Sequence, residues 1–300
     1  MKPISLNIPS KTFILGEYAV LAKQPALLVA TQPYCQINLR PTSKPHNPFH
    51  PKSPAGMWIE NHLTDMPIDF DINIPPSMAS MGLGVSSAEW ISAYLGQYFY
   101  KKHPFSLWDV EFRRKCLQAY RAQQDSLAHP GSGADWMCQM IGSYTYYHPK
   151  DLSIQSTDWP FEEEYSWLII STHQKHATHE HLSELKNIES FASWGHILEQ
   201  AWVHWQNKDA QGFISQVQAY QVQLEQSHLV APHTQQLLEA IGRIKGVECA
   251  KGCGAMGADT IWMMTKKTDM TSIKQTLTQL SIDIIADHTK VSEGLQWKPL

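Results

Sequence analysis

No apolar run in this 300-residue chain is long enough to cross a membrane. Its longest uncharged stretch, residues 72–88, is interrupted by proline, glycine and serine, whereas a spanning helix needs about 20 predominantly apolar residues. Residues 1–13 lack the apolar segment of a secretory signal. Basic residues are not in excess: 24 Lys and Arg face 28 Asp and Glu, which argues against a nucleic-acid binder. Cysteine is scarce, with 5 residues, an odd number and no CxxC spacing. That pattern reads as reduced thiols and not as a disulfide framework. Walker GK[ST] and HExxH patterns are absent too, and the glycine-rich segment at 80–90 is not GxGxxG. The expectation is a cytoplasmic protein with neither nucleic acid nor membrane as partner.

What is present suits a globular core: 43% hydrophobic and 17% charged residues. At about 150 residues per domain, two domains are expected. The acidic, aperiodic stretch 151–164 places the boundary, giving 1–155 and 156–300. Residues 1–150 carry 13 Lys and Arg against 10 Asp and Glu, and residues 151–300 carry 11 against 18. A mildly positive first half favours an anionic ligand.

Short strands are expected at 4–8, 26–31, 35–39 and 68–74, the last from the alternation IDFDINI. Residues 42–54 contain four prolines and read as a loop. Helices are expected at 87–100, 107–126, from 134, and at 188–206, 210–225, 234–244 and 272–280. Further strands are expected at 143–147, 165–171, 247–250, 260–264 and 282–285. Strands and helices mix in both halves, so the class is α+β.

Two glycine-rich segments stand out. SMGLGVSSAEW, residues 80–90, joins an expected strand to an expected helix. Gly82 and Gly84, flanking Leu83 and followed by Val85, let backbone approach a ligand. Ser86 and Ser87 fall in the helix's first turn, where free N–H groups and the macrodipole attract anions and a hydroxyl can ligate Mg2+. A capped helix after a flexible turn is the plainer alternative. KGCGAMGAD, residues 251–259, lies between two expected strands. With Gly254, Ala255 and Gly257 it is a close-approach loop, and both loops could converge on one polyphosphate.

The histidine-rich STHQKHATHEHL, residues 171–182, holds His173, His176, His179 and His181. His179 and His181 cannot share a helix face, so zinc is not expected there. Scattered tryptophans read as packing.

The sequence resembles the GHMP kinases. PSKTFILGEYAVLAKQPALLVA, residues 9–30, is similar to the family's opening. GLGVSSA is similar to its phosphate loop GLGSSAA, HPGSGAD (129–135) to its PSGxD, and KGCGAMGAD to its late KxxGAGGGD. Ser10, Val85, Met256 and Ala258 depart from that pattern. The resemblance implies a two-domain fold with mixed or antiparallel sheets and helices, and an active site between the halves. It implies ATP and Mg2+ as cofactors, and a small anionic alcohol or phosphate as substrate; a homodimer is compatible with it. Lys11 and Asp135 would be catalytic: the first a cation near the γ-phosphate, the second a base or orienting group. Gly82 to Ser87, with Gly254, Ala255 and Gly257, would hold the nucleotide. Glu17, Ser132, Lys175, Thr178 and Lys251 would face the acceptor. Ser86, Gln124 and Asp125 are the candidate Mg2+ ligands, Gln124 standing where a glutamate is usual. The opening, Gln124 and Asp259 look closer to the phosphomevalonate kinases than to the mevalonate kinases. Mevalonate, another small alcohol or sugar, and a non-catalytic member that kept the fold stay open.

Overall fold

The computed structural model describes residues 1–62, 65–124, 130–174, 185 and 187–300. Strand β1 (Ile4–Leu15) and strand β2 (Ala26–Pro41) form a long antiparallel pair. They replace the three short strands expected at 4–8, 26–31 and 35–39. The proline-containing break is absorbed by a register shift between Pro9 and Ser10, which pair with Tyr34 and Thr31. A bulge of this kind carries a strand past a residue that cannot donate to the ladder.

The first sheet runs β10–β1–β2–β4–β5, with β3 (Ile68–Asn73) also on β2. Here β4 is Tyr144–His148, β5 is Ser153–Thr157 and β10 is Gln296–Pro299. The second sheet runs β7–β8–β6–β9, from Val247–Cys253, Thr260–Lys266, Tyr165–Ser171 and Ile284–Asp287. Among the described residues every ladder is antiparallel.

Helices α1 (Pro54–His62), α2 (Pro76–Ser80), α3 (Val85–Lys101), α4 (Val110–Ala122) and α5 (Ala134–Ile141) belong to the first lobe. The first begins at Pro54, where the expected loop ends, and was not among the expected helices. Its start carries the usual signal, proline at the first position, and Ser53 Oγ accepts from Gly56 N at 3.0 Å. Helices Gly195–Gln206, Ala210–Gln226, Pro232–Gly242 and Met270–Gln279 belong to the second lobe.

β1 is buried on both faces, and its buried residues include the polar or charged Ser5, Ser10, Lys11 and Thr12. Leu6, Ile8 and Phe13 join the core beneath α3 and α5, while Ile14 and Leu15 join the core of the second lobe. The tryptophan expectation holds for Trp90, Trp136, Trp167, Trp205 and Trp262, all fully buried; Trp108 and Trp297 are exposed.

The expected boundary at 155/156 lies within a strand. It falls inside β5, which completes the first sheet. The last strand, β10, also pairs with β1, so the second lobe is not one continuous stretch to the end. The fold is α+β in two lobes, and no helix among the described residues is long and apolar enough to cross a membrane.

Candidate active site

Lys11 sits mid-strand on β1, where its own N–H donates to Leu83 O at 3.1 Å. That bond ties the strand to the first glycine loop. The residue is only 8% exposed, and its ammonium lies 3.1 Å from Asp135 Oδ1. The ammonium also lies 5.2 Å from the Phe13 ring centroid. Burial alone depresses the Lys11 pKa, but Asp135 beside it, with Asp259 and Cys138 further off, outweighs burial and raises it above the ordinary lysine value. The group is therefore a fixed cation.

Asp135 stands in the first turn of α5, behind Gly133 at φ +85°. Ser132 Oγ caps that turn by accepting from Ala134 N at 3.2 Å. The Asp135 side chain is 42% exposed, so it touches the buried lysine and still opens to solvent.

The first glycine loop delivers a bare helix terminus. α3 starts at Val85, and its N-cap, Gly84, sits at φ +96° with no side chain to cap the turn. A methyl at Gly84 would come within 2.7 Å of Gln139 Nε2. Leu83 is buried and anchors the loop. The two serines separate in role. Ser87 is buried and donates to Gly84 O at 3.0 Å, whereas Ser86 is exposed.

The second loop meets the first through Asp259: a methyl at either Gly82 or Gly254 would collide with its carboxylate. The sequence also suggested that this loop contacts nucleotide through Gly254, Ala255 and Gly257. Ala255 and Gly257 are buried, and the amides of residues 256–259 are all spent. Met256 N donates to Tyr18 Oη, and Gly257 N, Ala258 N and Asp259 N donate to Gly254 O, Ala255 O and Cys253 O, at 2.9 to 3.1 Å. Of the three, Gly254 alone stays partly open.

Two residues, one expected at the acceptor and one at the metal, have other partners. Lys251 does not stand at a loop mouth: it is 0% exposed and forms a buried ion pair with Glu17, while donating to Gly252 O at 2.7 Å. A buried charge must be paired: Lys251 pairs with Glu17 Oε1, while Glu17 Oε2 is buried without a hydrogen-bond partner. Gln124 Oε1 accepts from Gly131 N at 2.7 Å, which ties it to the loop before Asp135. Asp125, Lys175, Thr178, His176, His179 and His181 lie outside the described residues. Among those described, no three His, Cys, Asp or Glu side chains cluster to hold a metal.

Sequence reasoning missed Gln139. It follows Asp135 by four residues on the same face of α5 and donates to Pro9 O at 2.7 Å and Gly84 O at 3.0 Å. The i, i+4 spacing from Asp135 was the available signal.

No family model matches the chain, and no curated protein is similar to it in sequence. Solved structures are similar in shape. A Listeria innocua protein, Lin0012, superposes with a TM-score of 0.78 at 16% identity, over 99% of both chains. Streptococcus pneumoniae phosphomevalonate kinase, in complex with phosphomevalonate and AMPPNP, gives 0.75 at 16%, covering 96% of this chain and 99% of that one. Lactococcus lactis galactokinase with galactose gives 0.76 at 10%, covering 98% and 95%. Over nearly its whole length, the chain has the two-domain fold of the GHMP kinases.

Proposed function

We propose that the chain is a small-molecule kinase, transferring the γ-phosphoryl group of ATP to an acceptor oxygen. The observation that carries this is the Lys11–Asp135 pair beside the uncapped start of α3. Phosphoryl transfer asks mainly for positioning and charge stabilisation, and these parts supply both. The amides at the start of α3 would hold phosphate oxygens, with Gly84 allowing close approach. Lys11 would neutralise charge building on the transferring group. Asp135 would orient the acceptor or take its proton. Ser86 is the described residue that would offer an oxygen to the Mg2+ travelling with the nucleotide. Bound ATP·Mg2+ would supply the electrophilic phosphorus. The five free, buried cysteines support a reducing, cytoplasmic setting.

Phosphomevalonate is the acceptor proposed, supported by the sequence resemblance and by the neighbour that binds it. Ser132, Lys175 and Thr178 are the proposed acceptor contacts. Mevalonate is the second reading. The burial of Lys251 favours it, because a cation that a phosphate acceptor would need is turned inward. ADP release with phosphomevalonate, mevalonate, galactose and homoserine tests both readings. A higher kcat/KM for mevalonate replaces the first reading by the second. No nucleotide binding and no acceptor-dependent ADP release sinks the kinase itself.

A further inference from the structure

Gly84 O accepts three hydrogen bonds, from Ala88 N, Ser87 Oγ and Gln139 Nε2, each at 3.0 Å. The first two belong to any helix start with a serine nearby. The third comes from another helix. Gln139 is 0% exposed, and its amide nitrogen also donates to Pro9 O, two residues before Lys11. One NH2 group thus joins the strand carrying Lys11, the loop opening α3 and the helix carrying Asp135. Because a peptide unit is planar and trans, fixing the Gly84 carbonyl fixes the direction of the Val85 N–H on its opposite side. The Gln139 carbonyl oxygen is buried without a partner, an unfavourable state. A leucine there would avoid it, so the net contribution of the amide lies in its two donated bonds.

We propose that Gln139 is a positioning residue, holding the α3 start aimed at nucleotide phosphate in register with Lys11 and Asp135. This rests on the nucleotide-binding reading above. The test uses the whole protein, a fluorescent ATP analogue with Mg2+, and the variants Gln139→Leu and Gln139→Glu. The Leu variant loses both bonds and should raise the nucleotide Kd about tenfold. In the Glu variant only the protonated acid can donate. Its Kd, divided by that of the wild type at the same pH, should be as poor as the Leu variant near pH 8 and recover towards the wild type near pH 5.5. A packing role alone would not give that recovery. A Leu variant within about twofold of the wild type, or a Glu variant whose ratio ignores pH, overturns the proposal. If the Leu variant does not fold, the Glu ratio decides alone. Wild-type protein that binds no nucleotide overturns the kinase reading and this proposal together; wild-type binding with unaffected variants overturns this one only.

Discussion

Glu17 and Lys251 stand 234 residues apart in the chain and meet as a buried ion pair between the two lobes. Glu17 follows the strand that carries Lys11, and Lys251 opens the second glycine loop. Burial alone lowers the Lys251 pKa, while the neighbouring Cys253 and Glu17 more than offset this, so it ends above the ordinary lysine value.

Removing one partner should be far worse than removing both. Lys251→Met or Glu17→Gln alone strands a buried group and should cost about 3–5 kcal/mol. Glu17→Leu with Lys251→Met should recover most of that loss in denaturant titrations. The raised Lys251 pKa makes its stabilisation fully present below the unfolded value of 10.5 and lost as pH rises through the folded one. An additive double variant would contradict the pairing.

Lys11→Met should lower kcat by roughly 100- to 1,000-fold, with little change in the thermal midpoint. Asp135→Asn should lower it by about 100-fold or more if the acceptor is an alcohol, and much less if the acceptor is an ionised phosphate. Since the Lys11 pKa lies above its ordinary value, the pH–rate profile should show no loss assignable to this lysine below about pH 10. A basic limb near pH 8 that disappears in the Lys11 variant would count against this.

Gly84→Ala places a methyl within 2.7 Å of Gln139 at a left-handed φ of +96°. The expected cost is about 1–3 kcal/mol, read as a lower thermal midpoint together with weaker nucleotide binding. An unchanged midpoint would mean that the loop relaxes freely.

The thiols should be inert until the protein unfolds. All five are free and buried, and burial pushes Cys35, Cys138 and Cys249 up to about 12. A thiol reagent near neutral pH should label almost nothing natively and all five in denaturant. Rapid native labelling of any one would contradict the burial.

Legibility in the sequence follows how local each cause is. The helix after Gly84 and the strand at 165–171 were readable because periodicity and glycine act within a few residues. Lys11 and Asp135 were readable through motifs, and the structure joins them. The helix Pro54–His62 was hidden by the prolines around it. Lys251 was misassigned because a lysine at a loop mouth and one paired inside look alike until its partner, 234 residues away, is placed. Gln139 was missed for the same reason, its acceptors being 130 and 55 residues distant.

The return of β10 to β1 has a temporal meaning. Ile4 to Asn7 pair with Pro299 to Gln296, and Leu300 N donates to Pro3 O at 3.1 Å. Nearly the whole chain separates these partners, so the outer edge of β1 stays unsatisfied while the ribosome makes everything between them. A nascent chain carrying the first lobe alone therefore exposes a strand edge open to pairing with other chains until residues 296–299 arrive.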